Sequence, residues 1–240
     1  MRGDHALAAA TGGAGSVLIT LGGLLGSGGL TWAYAGLALL VAGWWWHGRA
    51  GAAPPRAFWA TLGLWAAPLL VAQPLFSRDV YSYLAQGLMV EAGLDVHRYG
   101  PAALGGPVAA LVPEVWQHTP SPYGPVSLLA SRLVVAVTGA HPAAGVLGMR
   151  LVALAGLVAL AGVLPALAGP LGARARWLVA LNPLVLIHLV GGAHNDALMV
   201  ALLAAGLAPP CATGPPWEPP WSRWPRWSRS RPCWASPRWR

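Results

Sequence analysis

The chain has 240 residues, 56% of them hydrophobic and only 9% charged, against roughly 25% charged in soluble domains. Its formal charge of +8 comes entirely from arginine, since no lysine occurs, and the arginines are scattered over loops and the C-terminal end. This balance excludes an ordinary water-solvated domain, and the scatter excludes a nucleic-acid patch. Arginine without lysine, beside abundant Ala, Gly, Pro and Trp, is what a GC-rich coding sequence produces.

Several apolar runs approach the roughly 18 to 20 residues that cross a bilayer as a helix, so the fold class is all-α integral membrane. A first span is predicted over 6–25 and a second over 30–46, joined by Gly26-Ser27-Gly28-Gly29 as a helical hairpin. The first lacks the basic start and short cleavable core of a secretory signal, and a second span follows at once, so an uncleaved span is expected. Arg2 before the first span, and His47, Arg49 and Arg56 after the second, place both flanks in the cytoplasm by the positive-inside tendency. Trp44, Trp45 and Trp46 mark that interface. A third span over 58–75 leads to the outer face, so the polar loop from Phe76 is expected outside.

That loop carries the residues with chemistry. Asp79 follows directly on a span and heads Val80, Tyr83, Leu84, Gly87 and Leu88, a helical period that stops at Gly93 and predicts an amphipathic interfacial helix. A carboxylate at a helix N-terminus acts as a cap, as a base, or as both. Two turn-rich aromatic segments follow, Gly93 to Pro101 with His97 and Arg98, and Trp116 to Pro125 with Tyr123. Their prolines and glycines make rigid turns, and single aromatics there commonly serve as interfacial anchors. His97, Arg98 and Arg150 have the chemistry to bind phosphate, as do surface arginines at lipid headgroups.

Beyond the loop, apolar runs occur at 126–137, 151–167, 177–190 and 197–207. If all four cross, Arg174 and Arg176 fall outside and His194-Asn195-Asp196 inside. If the run at 126–137, with about 12 residues, lies at the surface, the assignments reverse. The second topology is preferred because Arg174 and Arg176 then obey the charge rule, with an external loop over 76–150 and Arg150 at the outer interface. Ionisable groups at membrane depth are expensive, so His194, Asn195 and Asp196 are either a functional cluster or a turn capping the next helix. His194 and Asp196, with Asp79, are the candidate ligands for a divalent cation, too few to define a site. From Pro209 the character changes: nine prolines, six tryptophans and six arginines fill the last 32 residues. Proline at that density forbids a spanning helix, and GC-rich codons for Leu, Val and Ala read one base out of register give Trp, Pro and Arg. The expectation for 209–240 is a frameshifted or disordered tail. Cys211 and Cys233 lie in it without metal or disulfide spacing.

Pro74-Leu75-Phe76-Ser77-Arg78-Asp79-Val80-Tyr81-Ser82-Tyr83, Ala85-Gln86-Gly87, Thr119-Pro120-Ser121-Pro122-Tyr123-Gly124-Pro125, Asn182-Pro183-Leu184-Val185 and Gly191 to Leu198 occur in this order. Together they resemble the polyprenol-phosphate-mannose-dependent alpha-(1→6)-mannosyltransferases of lipomannan synthesis, within the GT-C glycosyltransferases, over about residues 57–208. The resemblance implies a GT-C-like multi-pass bundle with acidic residues in two external loops, Asp79 and then Asp196. It implies inverting transfer of mannose from a polyprenyl monophosphate carrier to an alpha-(1→6)-mannan or lipomannan hydroxyl at the outer face of the membrane. Asp79 would be the base, and Arg98 or Arg150 would meet the charge on the leaving phosphate. Arg78, Tyr81, Tyr83, His97, Tyr123, His194, Asn195 and Asp196 complete the expected substrate contacts, with no cofactor required beyond a divalent cation if one takes part. The partners implied are the lipid donor, the mannan acceptor and the bilayer, with no nucleic acid. Family members have many more helices beyond the point where the tail begins, so a truncated or frameshifted chain with little or no activity by itself is expected. The alternatives are a transporter or flippase subunit, which internal inverted repeats would mark though none is found, and a membrane fragment without function.

Overall fold

A computed structural model describes residues 2–74 and 76–208. The tail at 209–240, with its expected frameshift, lies outside the described residues. Among the described residues all regular structure is helical.

Helix α1 (Arg2–Leu24) and helix α2 (Leu30–Arg49) form an antiparallel hairpin around a 3-10 turn at Gly26–Gly29. Their seam is made of glycine at intervals of seven. A Cβ on Gly15 would lie 2.5 Å from the Gly36 carbonyl oxygen, and one on Gly36 equally close to that of Gly15. Gly22 and Gly43 meet α-helical backbone of the partner in the same way. In lipid, where apolar side chains gain little by meeting each other, such backbone approach is a main source of helix association. Helix α3 (Pro55–Leu70) starts on a proline, whose missing N–H is free to be missing there. It lies along α1, where the fully buried Trp65 donates its indole N–H to the Ala9 carbonyl at 2.8 Å.

The polar segment folds into helix α4 (Asp79–Glu91), two short helices, α5 (Gly106–Leu111) and α6 (Glu114–Gln117), and helix α7 (Pro125–Thr138). Helix α4 ends at Gly93, whose φ of +72° only glycine adopts without strain. Eight of its residues are buried, including Ser82 and Gln86, because α5, α7 and the next helix cover it. It is therefore packed on more than the one face that its period predicts. Gly87 lets α4 cross α7 with a Cβ position only 2.6 Å from the Ser131 carbonyl oxygen. Helix α7 has 14 residues, below spanning length.

Helix α8 (Pro142–Ala168) has 27 residues and starts nine residues earlier than 151. Arg150 is consequently inside a helix and 2% exposed, and the loop expected to reach residue 150 ends at His141. The chain reverses at Gly169, whose φ is +55°, and helix α9 (Gly172–Ala180) returns along α8. Arg176 donates from Nε to the Ala161 carbonyl at 2.9 Å; fifteen residues apart on one straight helix they would be separated by about 22 Å. After a break at Asn182, whose side chain accepts from the Leu184 N–H at 2.9 Å, helix α10 (Pro183–Val185) runs into a π-helical turn at Leu186–Gly191. Helix α11 (Asp196–Leu207) then turns away from that segment by 116°. It runs beside α8, with the Ala197–Leu198 backbone against Gly156 and Ala201 and Ala204 beside Leu160.

Among the described residues two helical stretches are long and apolar enough to cross a membrane, Gly3–Leu24 and the run Pro142–Ala180 to which α8 contributes most, and the bent pair Pro183–Gly191 with Asp196–Leu207 makes up to three. The other expected spans, 30–46 and 58–75, are helices α2 and α3; α3 has only 16 residues, since the chain breaks after Leu70. One buried cluster joins α1, α2 and α3 to α8 and the π-helical turn through Leu40, Trp65, Leu157 and Leu186. A second surrounds α4 through Tyr83, Leu84, Val134 and Met149, and it carries the candidate site.

Candidate functional site

Arg150 builds the base of this end of the molecule. A guanidinium has five N–H donors, and all five are used: Nε and one Nη2 hydrogen go to the Gly191 carbonyl, the other to Gln73, and the two on Nη1 to Leu70 and Ala72. Leu70 and Gly191 end α3 and the π-helical turn, so their carbonyls have no intrahelical partners, and Ala72 and Gln73 lie just beyond α3. A single side chain on α8 thus pins the end of α3 to the end of the π-helical turn. No donor remains for a phosphate, which corrects the expectation that Arg150 meets the leaving group.

Because α3 and the π-helical turn end together, the segments that follow them also come together. Phe76, three residues before Asp79, has a φ of +61°, and Ala193, next to His194, has a φ of +56°. Left-handed backbone in residues with a Cβ is held against a penalty of about 1–3 kcal/mol and clusters at functional sites. Asp79 is the first residue of α4, with its own N–H donating to Ser77 Oγ at 3.1 Å. Its carboxylate caps nothing: Oδ1 accepts the Trp116 indole N–H at 2.9 Å, and among the described residues Oδ2 takes no hydrogen bond. One turn further along α4, the buried Tyr83 hydroxyl lies 3.4 Å from His194 Nδ1, and its ring meets Tyr123 edge-on at 5.3 Å. Asp196 Oδ2 is 3.8 Å from the same His194 nitrogen, and His188 stacks on the His194 ring at 4.1 Å.

Burial chiefly, then neighbouring His188, pushes the His194 imidazole below its ordinary range, while Asp79 and Asp196 oppose this. The shift favours the neutral ring, and its Nε2 is buried with no hydrogen-bond partner among the described residues. Burial first, then the Tyr123 hydroxyl, pushes the Tyr83 phenol up, so it remains protonated. Asp79, Tyr83, Tyr123, His194 and Asp196 thus form one neighbourhood.

The other sequence candidates sit around it. Asn195 turns its Nδ2 to Ser127 Oγ at 2.7 Å, which ties the turn to α7 and leaves no side-chain cap on α11. His97 Nδ1 lies 3.0 Å from the Ser121 carbonyl, and Ser121 Oγ donates to Gln86 Oε1 at 3.1 Å, so both aromatic segments are fastened to α4. Arg78 and Arg98 are exposed, each stacked on a nearby tyrosine, Tyr81 and Tyr99, at 5.5 and 5.4 Å. Among the described residues no three His, Cys, Asp or Glu side chains gather closely enough to hold a metal ion. Asp79, His194 and Asp196 therefore do not converge as a ligand set, since Asp79 points to Trp116 and the other two face each other. Trp116, Ser127 and His188 are the partners sequence reasoning passed over; an indole between turn residues and a serine in an apolar helix carry no pattern that separates them from anchors and core.

An all-helical membrane scaffold with a carboxylate at a helix head, a buried His–Tyr pair and an exposed Asp196 beside it is the class that fold and site define. The sequence model of the family described as alpha-(1→6)-mannopyranosyltransferase, N-terminal domain, matches residues 14–217, and the chain belongs to that family. It is 45% identical over 194 residues to alpha-(1→6)-mannopyranosyltransferase A of Mycobacterium tuberculosis, covering 78% of this chain and 37% of the relative. It is 39% identical over 153 residues to alpha-(1→6)-mannopyranosyltransferase B of Corynebacterium glutamicum, covering 61% of this chain and 25% of the relative. The chain thus spans about a third or less of the length of these curated relatives. No solved structure matches.

Proposed function

We propose that this chain forms the front part of a membrane mannosyltransferase in which Asp79 is the catalytic base. The observation that carries the reading is the state of its carboxylate: one oxygen is held by Trp116, and the other takes no protein hydrogen bond, beside Tyr83, His194 and Asp196. The donor is a polyprenyl monophosphate mannose and the acceptor an alpha-(1→6)-mannan hydroxyl, at the outer face of the membrane. The acceptor oxygen attacks the anomeric carbon while the bond from that carbon to the phosphate oxygen breaks. The electron pair leaves with the phosphate, the hydroxyl proton passes to Asp79 Oδ2, and a single displacement inverts the anomeric centre. Arg78 and Arg98, exposed and without carboxylate partners among the described residues, are the cations left to meet the phosphate. Tyr123 and the exposed Asp196 contact the sugar, with the buried Tyr83 and His194 behind them. The topology fits this assignment: the Arg49, Arg174 and Arg176 end of the bundle faces the cytoplasm by the positive-inside tendency, and Asp79 lies at the other end.

The test grafts residues 1–208 in place of the matching segment of the mycobacterial relative and measures mannose transfer from polyprenyl phosphate mannose in membranes. Asp79→Asn should lower transfer about 10²–10⁴-fold, as loss of a general base does, at unchanged membrane level. Transfer within twofold of the parent would remove Asp79 from that role.

A further inference from the structure

At the end of the bundle opposite Asp79, the last turn of α2, the start of α3 and the α8–α9 reversal enclose a cleft of about 360 Å³. Arg49, Arg174 and Arg176 line it, and no acidic residue does. None of the three is paired with a carboxylate among the described residues. Arg49 rests on Trp45 and Arg176 against Phe58 and Trp59, while Arg174 is exposed and has no partner among the described residues. His47 also lines the cleft; it is 1% exposed, and neither ring nitrogen has a hydrogen-bond partner. Leaving the ring N–H unpaired in a buried place costs about 1–3 kcal/mol, which a ligand with an acceptor oxygen would offset.

The walls are rigid. Trp44 and Trp177 stack at 4.8 Å, and each donates its indole N–H to the other's carbonyl, at 3.2 and 2.9 Å, which ties α2 to α9 beside the cleft. Trp45, Phe58 and Trp177 line it, Trp45 exposed, and Trp46 and Leu178, next to lining residues in sequence, are exposed as well, apolar surface of the kind that meets acyl chains.

We infer that this cleft binds the phosphate of an anionic phospholipid headgroup from the leaflet at that end, with Arg49 and Arg174 as its main contacts. Guanidinium groups match phosphate oxygens in pairs, and basic pockets among membrane helices select anionic headgroups. The apolar surface and tryptophan walls favour a lipid over a free anion, which would gain nothing from them. The inference is independent of the transferase reading, since it uses no residue of the Asp79 end.

The test is native mass spectrometry of the purified 240-residue chain in zwitterionic detergent, with phosphatidylglycerol, phosphatidylcholine or inorganic phosphate added. The expected result is one retained phosphatidylglycerol and about tenfold less phosphatidylcholine, equivalent to about 1.4 kcal/mol of preference. Arg174→Gln, and Arg49→Gln with it, should lose that preference at an unchanged melting temperature, because both side chains are exposed. Arg78→Gln with Arg98→Gln at the other end should keep it. Equal retention of both lipids, undiminished retention by the Arg49→Gln/Arg174→Gln chain, or retention of inorganic phosphate without phosphatidylglycerol would each overturn the inference.

Discussion

Trp116 donates its indole N–H to Asp79 Oδ1 across 37 residues of sequence, from the short helix α6 to the head of α4. The bond orients the carboxylate, and among the described residues the second oxygen takes no hydrogen bond. Trp116→Phe keeps the ring and deletes the donor. In the grafted transferase it should lower turnover by about tenfold, the equivalent of one charge-assisted hydrogen bond of about 1.5 kcal/mol, with KM for the lipid donor little changed. An equal loss in membrane level would instead mark Trp116 as structural.

Arg150 with the Gly191, Leu70, Ala72 and Gln73 carbonyls is the strongest polar device in the interior. Arg150→Leu leaves four carbonyl groups without partners, and a loss of about 3 kcal/mol or more is expected. Arg150→Lys should recover little, since an ammonium offers three donors in a different geometry. Thermal unfolding in detergent checks both; a Lys variant as stable as the parent would remove the fork from the argument.

His194 is held below its ordinary range, with burial the main cause. The unfolded imidazole takes up a proton as pH falls through about 6.5 while the folded one resists, so stability is full above that pH and declines below it. His194→Gln should flatten this acid limb in melts between about pH 7 and 5. A limb of unchanged slope would assign it to other groups.

Two glycines separate backbone approach from helix propensity. Gly36→Ala puts a methyl 2.5 Å from the Gly15 carbonyl oxygen and should open the α1–α2 hairpin, at about 1–3 kcal/mol for an overpacked contact. Gly63 in α3 has nothing within 4 Å of its Cβ position, so Gly63→Ala should raise stability by about 0.5–1 kcal/mol. Melting temperatures moving in the same direction for both would contradict the seam.

The helical scaffold was legible in the chain because apolar length and turn residues act locally. Gly26 to Gly29 and Gly93 mark turns that the structure keeps, and the period from Val80 to Leu88 found α4. The start of α8 was missed by nine residues, because the stretch from Pro142 to Arg150 reads as loop ahead of the strongly apolar run and becomes helix only by packing Val146 and Met149 against α4. Asp79, Tyr83, Tyr123, His194 and Asp196 were all named from motifs, and they do lie together. Arg150 was named for phosphate, and Trp116 was passed over as an anchor.

By itself, then, the sequence determined an all-helical membrane chain, its charge asymmetry and the residues with reactive side chains, since these follow from composition and short-range spacing. Only the tertiary structure decided what Arg150 and Trp116 do. Their partners are a set of backbone carbonyls and one carboxylate oxygen, and a carbonyl carries no residue identity; it becomes an acceptor in need of a donor only where two helix ends are brought side by side.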